Sequence, residues 1–124
     1  MAPRKSKRKT LNTETLAGLG AGRLADLLME LAENDVTLKR RLRLEIAGPE
    51  QVTSEVMKRL STIARARAYV EWNRIRPLVR DLETQRSAIV EKVAPHDPIM
   101  AIDLLWRFLA LAPALYGRCD DSNN

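Results

Sequence analysis

The chain has one cysteine, one histidine and only five aromatic residues in its 124 positions. A single cysteine, Cys119, excludes an internal disulfide, and a reducing cytoplasm is its simplest home. His96 and Cys119 stand 23 positions apart, and neither has a partner at ligand spacing, so no metal or other cofactor is expected. His96 lies in the stretch PHDP and reads as a solvated loop residue. No Cys/His signature, GxSxG elbow or phosphate-binding loop is present. The spelling GLGAG (18–22) falls between two helical patterns, not after a strand, and reads as a turn. The adjacent Asp120 and Asp121 read as solvated carboxylates. Nothing here assembles a catalytic site, and no enzyme activity is expected.

Charge is also sparse where it would matter most. The net charge is +5, and Arg4, Lys5, Lys7, Arg8 and Lys9 carry an excess of that size by themselves. The remaining chain holds 16 basic and 16 acidic residues, so its body is formally neutral. Residues 1–10 therefore read as a disordered basic tail, 11–118 as one helical domain and 119–124 as a flexible C-terminus. The N-terminus has basic residues but no apolar run behind them, unlike a secretory signal. At this length one domain buries about two-thirds of its unfolded surface.

Strand-like alternation is nearly absent, while helical spacing recurs. Thr13 is placed to cap a short first helix, and Gly18, Gly20 and Gly22 permit a turn after it. Leu24, Leu27, Leu28 and Leu31 form an i, i+3, i+4, i+7 stripe over 22–33. Asn34 or Asp35 caps a third helix, with Leu38, Leu42 and Ile46 inward, and Gly48-Pro49 ends it. A fourth helix is expected from Glu50 to Trp72, with Val52, Val56, Leu60 and Ile63 inward. Pro77 places a break or kink near 73–76. A fifth helix over 78–93 turns Leu78, Leu82, Ile89 and Val93 inward. Asp97 and Pro98 then start a sixth as N-cap and first helical residue. The expected fold is all-α: a five- or six-helix antiparallel bundle, open to a helical-repeat-like arrangement.

The stretch IMAIDLLWRFLALAPALY (99–116) is apolar except for Asp103 and Arg107. It is borderline in length for a membrane span. Two charges at about 2.5–3.5 kcal/mol each, and Pro113, argue against one. A helix apolar nearly all round is surrounded. Residues 99–112 are therefore expected to be the most buried element, or else to turn one side to a partner or to further helices.

Three stretches carry a resemblance when taken together: LAGLGAGRLADLLMELAEND (16–35), ARARAYVEWNRIRPLVRDLETQRSAIV (64–90) and AIDLLWRFLALAPALYGRCDDS (101–122). They resemble the N-terminal region of a bacterial all-helical family known only as a domain of unknown function. The resemblance implies a cytoplasmic helical protein and supplies no activity, ligand or catalytic residue. It also implies further helices beyond RCDDS, which would make this chain either a short member or a truncated one.

Two candidate faces follow from the residues. Positions 58–80 hold seven basic residues against one acid, Glu71. Arg65, Tyr69, Trp72, Arg76 and Arg80 fall at helical spacing, with charge for phosphate and rings for stacking. The bland alternative is that the rings pack at the core edge and the arginines meet Asp26, Glu30, Glu33 and Asp35. The run Lys39, Arg40, Arg41, Arg43 reads as charge splayed over an exposed face. The second face is Leu104, Leu105, Phe108 and Leu111, a helix-partner surface. The functional expectation is a non-catalytic protein-interaction or scaffold module whose partner is protein, itself or other helices. The alternative is a non-specific nucleic-acid-associated protein using the tail and the basic helix. No membrane partner is expected.

Overall fold

The computed structural model describes residues 9–119. The readings of 1–8 as tail and of 120–124 as a flexible end fall outside them. All described elements are helical, as expected, and among the described residues there is no strand beyond one isolated parallel bridge between Val70 and Cys119. The described residues fall into two compact units, one ending at Val36 and one starting at Thr37.

The first unit holds α1 (Thr13–Ala17) and α2 (Ala21–Ala32), which pack on each other. Asn12, not Thr13, caps α1. Its Oδ1 accepts from the Thr15 amide at 2.9 Å, and its own amide donates to Thr15 Oγ1 at 3.1 Å. This reciprocal box satisfies two backbone groups at once, which a Thr13 cap would not. Of the GLGAG glycines only Gly20 needs to be glycine for its backbone, with φ at +89°. Along α2, Leu24 and Leu27 are half-buried, while Leu28 and Leu31 are exposed.

The second unit holds α3 (Val36–Ile46), α4 (Pro49–Arg65), α5 (Trp72–Ala88), a π-helical turn (Ile89–Val93), α6 (Pro98–Leu109) and α7 (Ala112–Arg118). Val52, Val56, Leu60 and Ile63 repeat every three or four residues and are all buried, as their spacing requires. They meet Ile89, Val93, Ala101 and Leu104 in one hydrophobic cluster. The π turn packs against α4, α5 and α6 and is the hub of this unit. Its signature is the Ala94 amide donating to the Ile89 carbonyl, five residues back, at 2.9 Å. At the other flank, the Lys92 ammonium donates to the carbonyls of Glu45 and Ala47, closing the C-terminal end of α3.

Four expectations are corrected. On α3, Ile46 is 87% exposed, and Leu44 is buried instead, with Ala47 just past the helix end, on a face that also carries Arg40. The fourth helix stops at Arg65, not Trp72, because Ala66 turns extended at ψ 138°. The break near Pro77 is absent. Pro77 lies within the second turn of α5, where only the Asn73 carbonyl loses its helical donor. Last, α6 is not the most buried element. Only Ala101 and Leu104 are buried along it, and its start is held as expected by Asp97, whose Oδ1 accepts from the Met100 amide at 3.1 Å.

Candidate interaction faces

The basic and aromatic residues of 58–80 do not form one continuous helical face. Arg65 lies in the last turn of α4, and Tyr69 lies in the extended segment 66–71. Trp72, Arg76 and Arg80 remain together on α5 at i, i+4, i+8, all exposed. The segment between α4 and α5 is held from the far end of the chain. The Arg118 guanidinium donates to the carbonyls of Ala68 at 2.9 Å and Ile63 at 3.2 Å. The Arg118 carbonyl in turn accepts from the Val70 amide at 2.7 Å. ARARAY contains no glycine or proline, so nothing local announced this break.

The proposed helix-partner residues lie in the core. Leu104 and Leu111 are buried, and Leu105 and Phe108 pack against the same cluster. The outward face is different: Ile99, Ile102, Trp106 and Leu109, spaced i, i+3, i+7, i+10, are all exposed, Trp106 at 73%. Tyr116 on α7 is exposed too. Within this face, Arg107 Nε donates to Asp103 Oδ2 at 3.0 Å, an ion pair open to solvent. The stretch Pro98–Arg118 is long and apolar enough, by length and composition, to cross a membrane.

A polar centre that sequence reasoning missed lies on the inner side of α5. Asp81 is 1% exposed and accepts at Oδ2 from Arg59 Nε at 2.6 Å and Arg40 Nη1 at 3.2 Å. Its Oδ1 accepts from Gln85 Nε2 at 3.2 Å. The Arg40 guanidinium is held below its usual pKa, first by burial, then by the charge of Arg59 with a smaller part from Arg43; Asp81 acts in the opposite sense. The one available signal was position: Asp81 and Gln85 fall among the inward-facing residues of the fifth helix. A buried carboxylate there requires cationic partners from neighbouring helices. That is why Arg40 lies on the inner face of α3, against the reading of its basic run as uniformly exposed.

His96 is exposed in the turn before α6, and Cys119 is a free, half-buried thiol. Among the described residues no group of three or more His, Cys, Asp or Glu side chains is gathered as a metal site would require. The model of a family of unknown function, DUF6880, matches residues 6–124, and the chain belongs to that family. No curated protein matches the chain. No solved structure matches it either.

Proposed function

We propose that this DUF6880 protein is a non-catalytic helical interaction module, working through the outward face of α6 and α7 without metal or cofactor. The observation that carries the reading is the row Ile99, Ile102, Trp106 and Leu109, large apolar side chains aligned on one helix and all in water. Contiguous exposed apolar surface of this kind marks an interaction site, and tryptophan is among the residues that most often dominate one. The occupant proposed is a second copy of the chain. Antiparallel pairing of two α6 helices about a two-fold axis between Asp103 and Arg107 sets the aspartate of each copy opposite the arginine of the other. The same row meets itself, as an isologous interface requires. Insertion into a bilayer would carry Asp103 and Arg107 with it, at about 2.5–3.5 kcal/mol each near the centre. A cytoplasmic setting accords with the free Cys119.

Light scattering on the intact chain at low and high salt tests the reading. The expected result is a dimer that high salt does not dissociate, returned to monomer by Trp106→Glu with an unchanged melting curve. A monomer at every soluble concentration would overturn self-association.

A second reading rests on Trp72, Arg76 and Arg80, exposed in line on α5, with Arg65 on α4 and the basic residues before Thr10 adding charge. Such a face suits phosphate and unstacked bases. Binding of single-stranded nucleic acid should then fall steeply with salt and weaken in Arg65→Glu, Arg76→Glu. Unchanged binding in that double variant, or none at low salt, removes this reading.

A further inference from the structure

The apolar row on α6 has a positional symmetry as well as an apolar composition. At about 100° per residue, Ile99, Ile102, Trp106 and Leu109 straddle the side of the helix opposite Leu104, which is fully buried. Ile99 and Leu109 stand five positions either side of Leu104, and Ile102 and Trp106 stand two. At a rise of about 1.5 Å per residue, the outer pair lies about 7.5 Å from the level of Leu104 in each direction and the inner pair about 3 Å. Two such helices laid antiparallel, with a two-fold axis at the level of Leu104, bring Ile99 level with the partner's Leu109. The same operation brings Ile102 level with the partner's Trp106.

Charge on α6 lies to one side of that row. Asp103 and Arg107 flank it on the same side, paired at 3.0 Å and each about half exposed. The other flank carries Pro98 and Leu105 and no charge. A two-fold axis perpendicular to the helices brings like flanks together, and an axis parallel to them brings unlike flanks together. Only the antiparallel pair therefore gathers Asp103 and Arg107 of both copies, with each aspartate within reach of its own arginine and of the partner's. A parallel pair lays each charged flank against Pro98 and Leu105 of the other copy, where no opposite charge meets it.

We infer that α6 pairs with the α6 of a second copy in this one antiparallel register, and that Asp103 and Arg107 choose both its orientation and its partner. The inference rests on the self-association proposed above and adds what decides its geometry. The apolar row supplies affinity and the charged flank supplies specificity. A copy whose flank carries charge of one sign only is rejected by itself and accepted by a copy of the opposite sign.

Two measurements on the full chain test this, the first in a Cys119→Ser background. Ile99→Cys copies are mixed with Leu109→Cys copies, one of them tagged so that the mixed species has its own mass, and oxidised. A disulfide should join unlike copies. Ile99→Cys alone should form none, because the antiparallel register holds its two cysteines about 15 Å apart along the helices, beyond disulfide reach. The second measurement is light scattering at low salt, where exposed charges are least screened. Asp103→Arg leaves two cations on the flank, and Arg107→Asp leaves two anions. Each should dimerise at least tenfold more weakly than the unmodified chain, with an unchanged circular dichroism spectrum, and the two mixed should recover a hybrid dimer. Both changes in one chain should restore self-pairing. A disulfide formed by Ile99→Cys alone, or single reversals that dimerise as tightly as the unmodified chain, would overturn the register and leave self-association standing. A monomeric unmodified chain would remove both.

Discussion

Asp81 concentrates the polar energetics of the second unit in one side chain. Asp81→Asn keeps its volume and removes its charge, leaving Arg40 and Arg59 beside each other with no negative charge between them. Breaking a buried pair costs about 3–5 kcal/mol, and both arginines here reach solvent in part, so a loss of about 2–3 kcal/mol is expected. The two arginines should not contribute equally. Arg59 is closer to Asp81, at 2.6 against 3.2 Å, and less exposed, at 23% against 30%. Arg59→Ala should therefore destabilise more than Arg40→Ala. With both arginines absent, Asp81 is buried without a cation, so the double variant should lose more than the two single losses added. Urea midpoints of the four variants check the order. Equal losses for the two single arginine variants would mean that Asp81 uses them interchangeably.

At the scale of elements, the connection between α4 and α5 depends on a residue far away in sequence. Arg118 reaches the Ile63 and Ala68 carbonyls, and without it the end of α4 and the extended segment lose two charged donors. Arg118→Ala should raise amide hydrogen exchange at Val70 about tenfold, a local cost of about 1.4 kcal/mol, while Val56 and Leu60 exchange as before. Uniform acceleration across α4 would show instead that Arg118 supports the whole unit. The same dependence explains what the sequence could and could not reveal. Starts marked by Asp97-Pro98 and Gly48-Pro49 were legible because the side chains that set them are local. So was the inner stripe of α4. The break after Arg65 was not, since its determinant lies about fifty positions on. The π turn was hidden because IVEKV reads as ordinary helix, and its extra residue shows only in the backbone hydrogen bonding. Of the candidate faces, apolarity around α6 was visible from the sequence. Which side the rest of the chain covers was not, and the side named was the covered one.

The whole molecule divides unevenly. Every residue of the hydrophobic cluster, from Leu44 to Leu115, belongs to the second unit, and so does the Asp81 network. Among the described residues the first unit has no cluster of its own: α1 has no buried residue, and α2 has only Ala32. Two short helices without a core are marginal in isolation, whereas some ninety residues with a contiguous core are within the range that folds alone. A fragment of residues 35–124, which keeps Asp35 ahead of α3, should therefore fold. Its circular dichroism should show the helicity of α3 to α7, and its urea midpoint should lie close to that of the full chain. Its denaturant slope should be smaller, in keeping with the surface removed. The complementary fragment, 1–36, should show little helix in water. An unfolded 35–124 fragment would mean that α1 and α2 contribute binding free energy to the second unit, and adding the 1–36 peptide should then restore it. A folded fragment that forms the proposed dimer, lost again on Trp106→Glu, would assign self-association to α6 and α7 without the first unit.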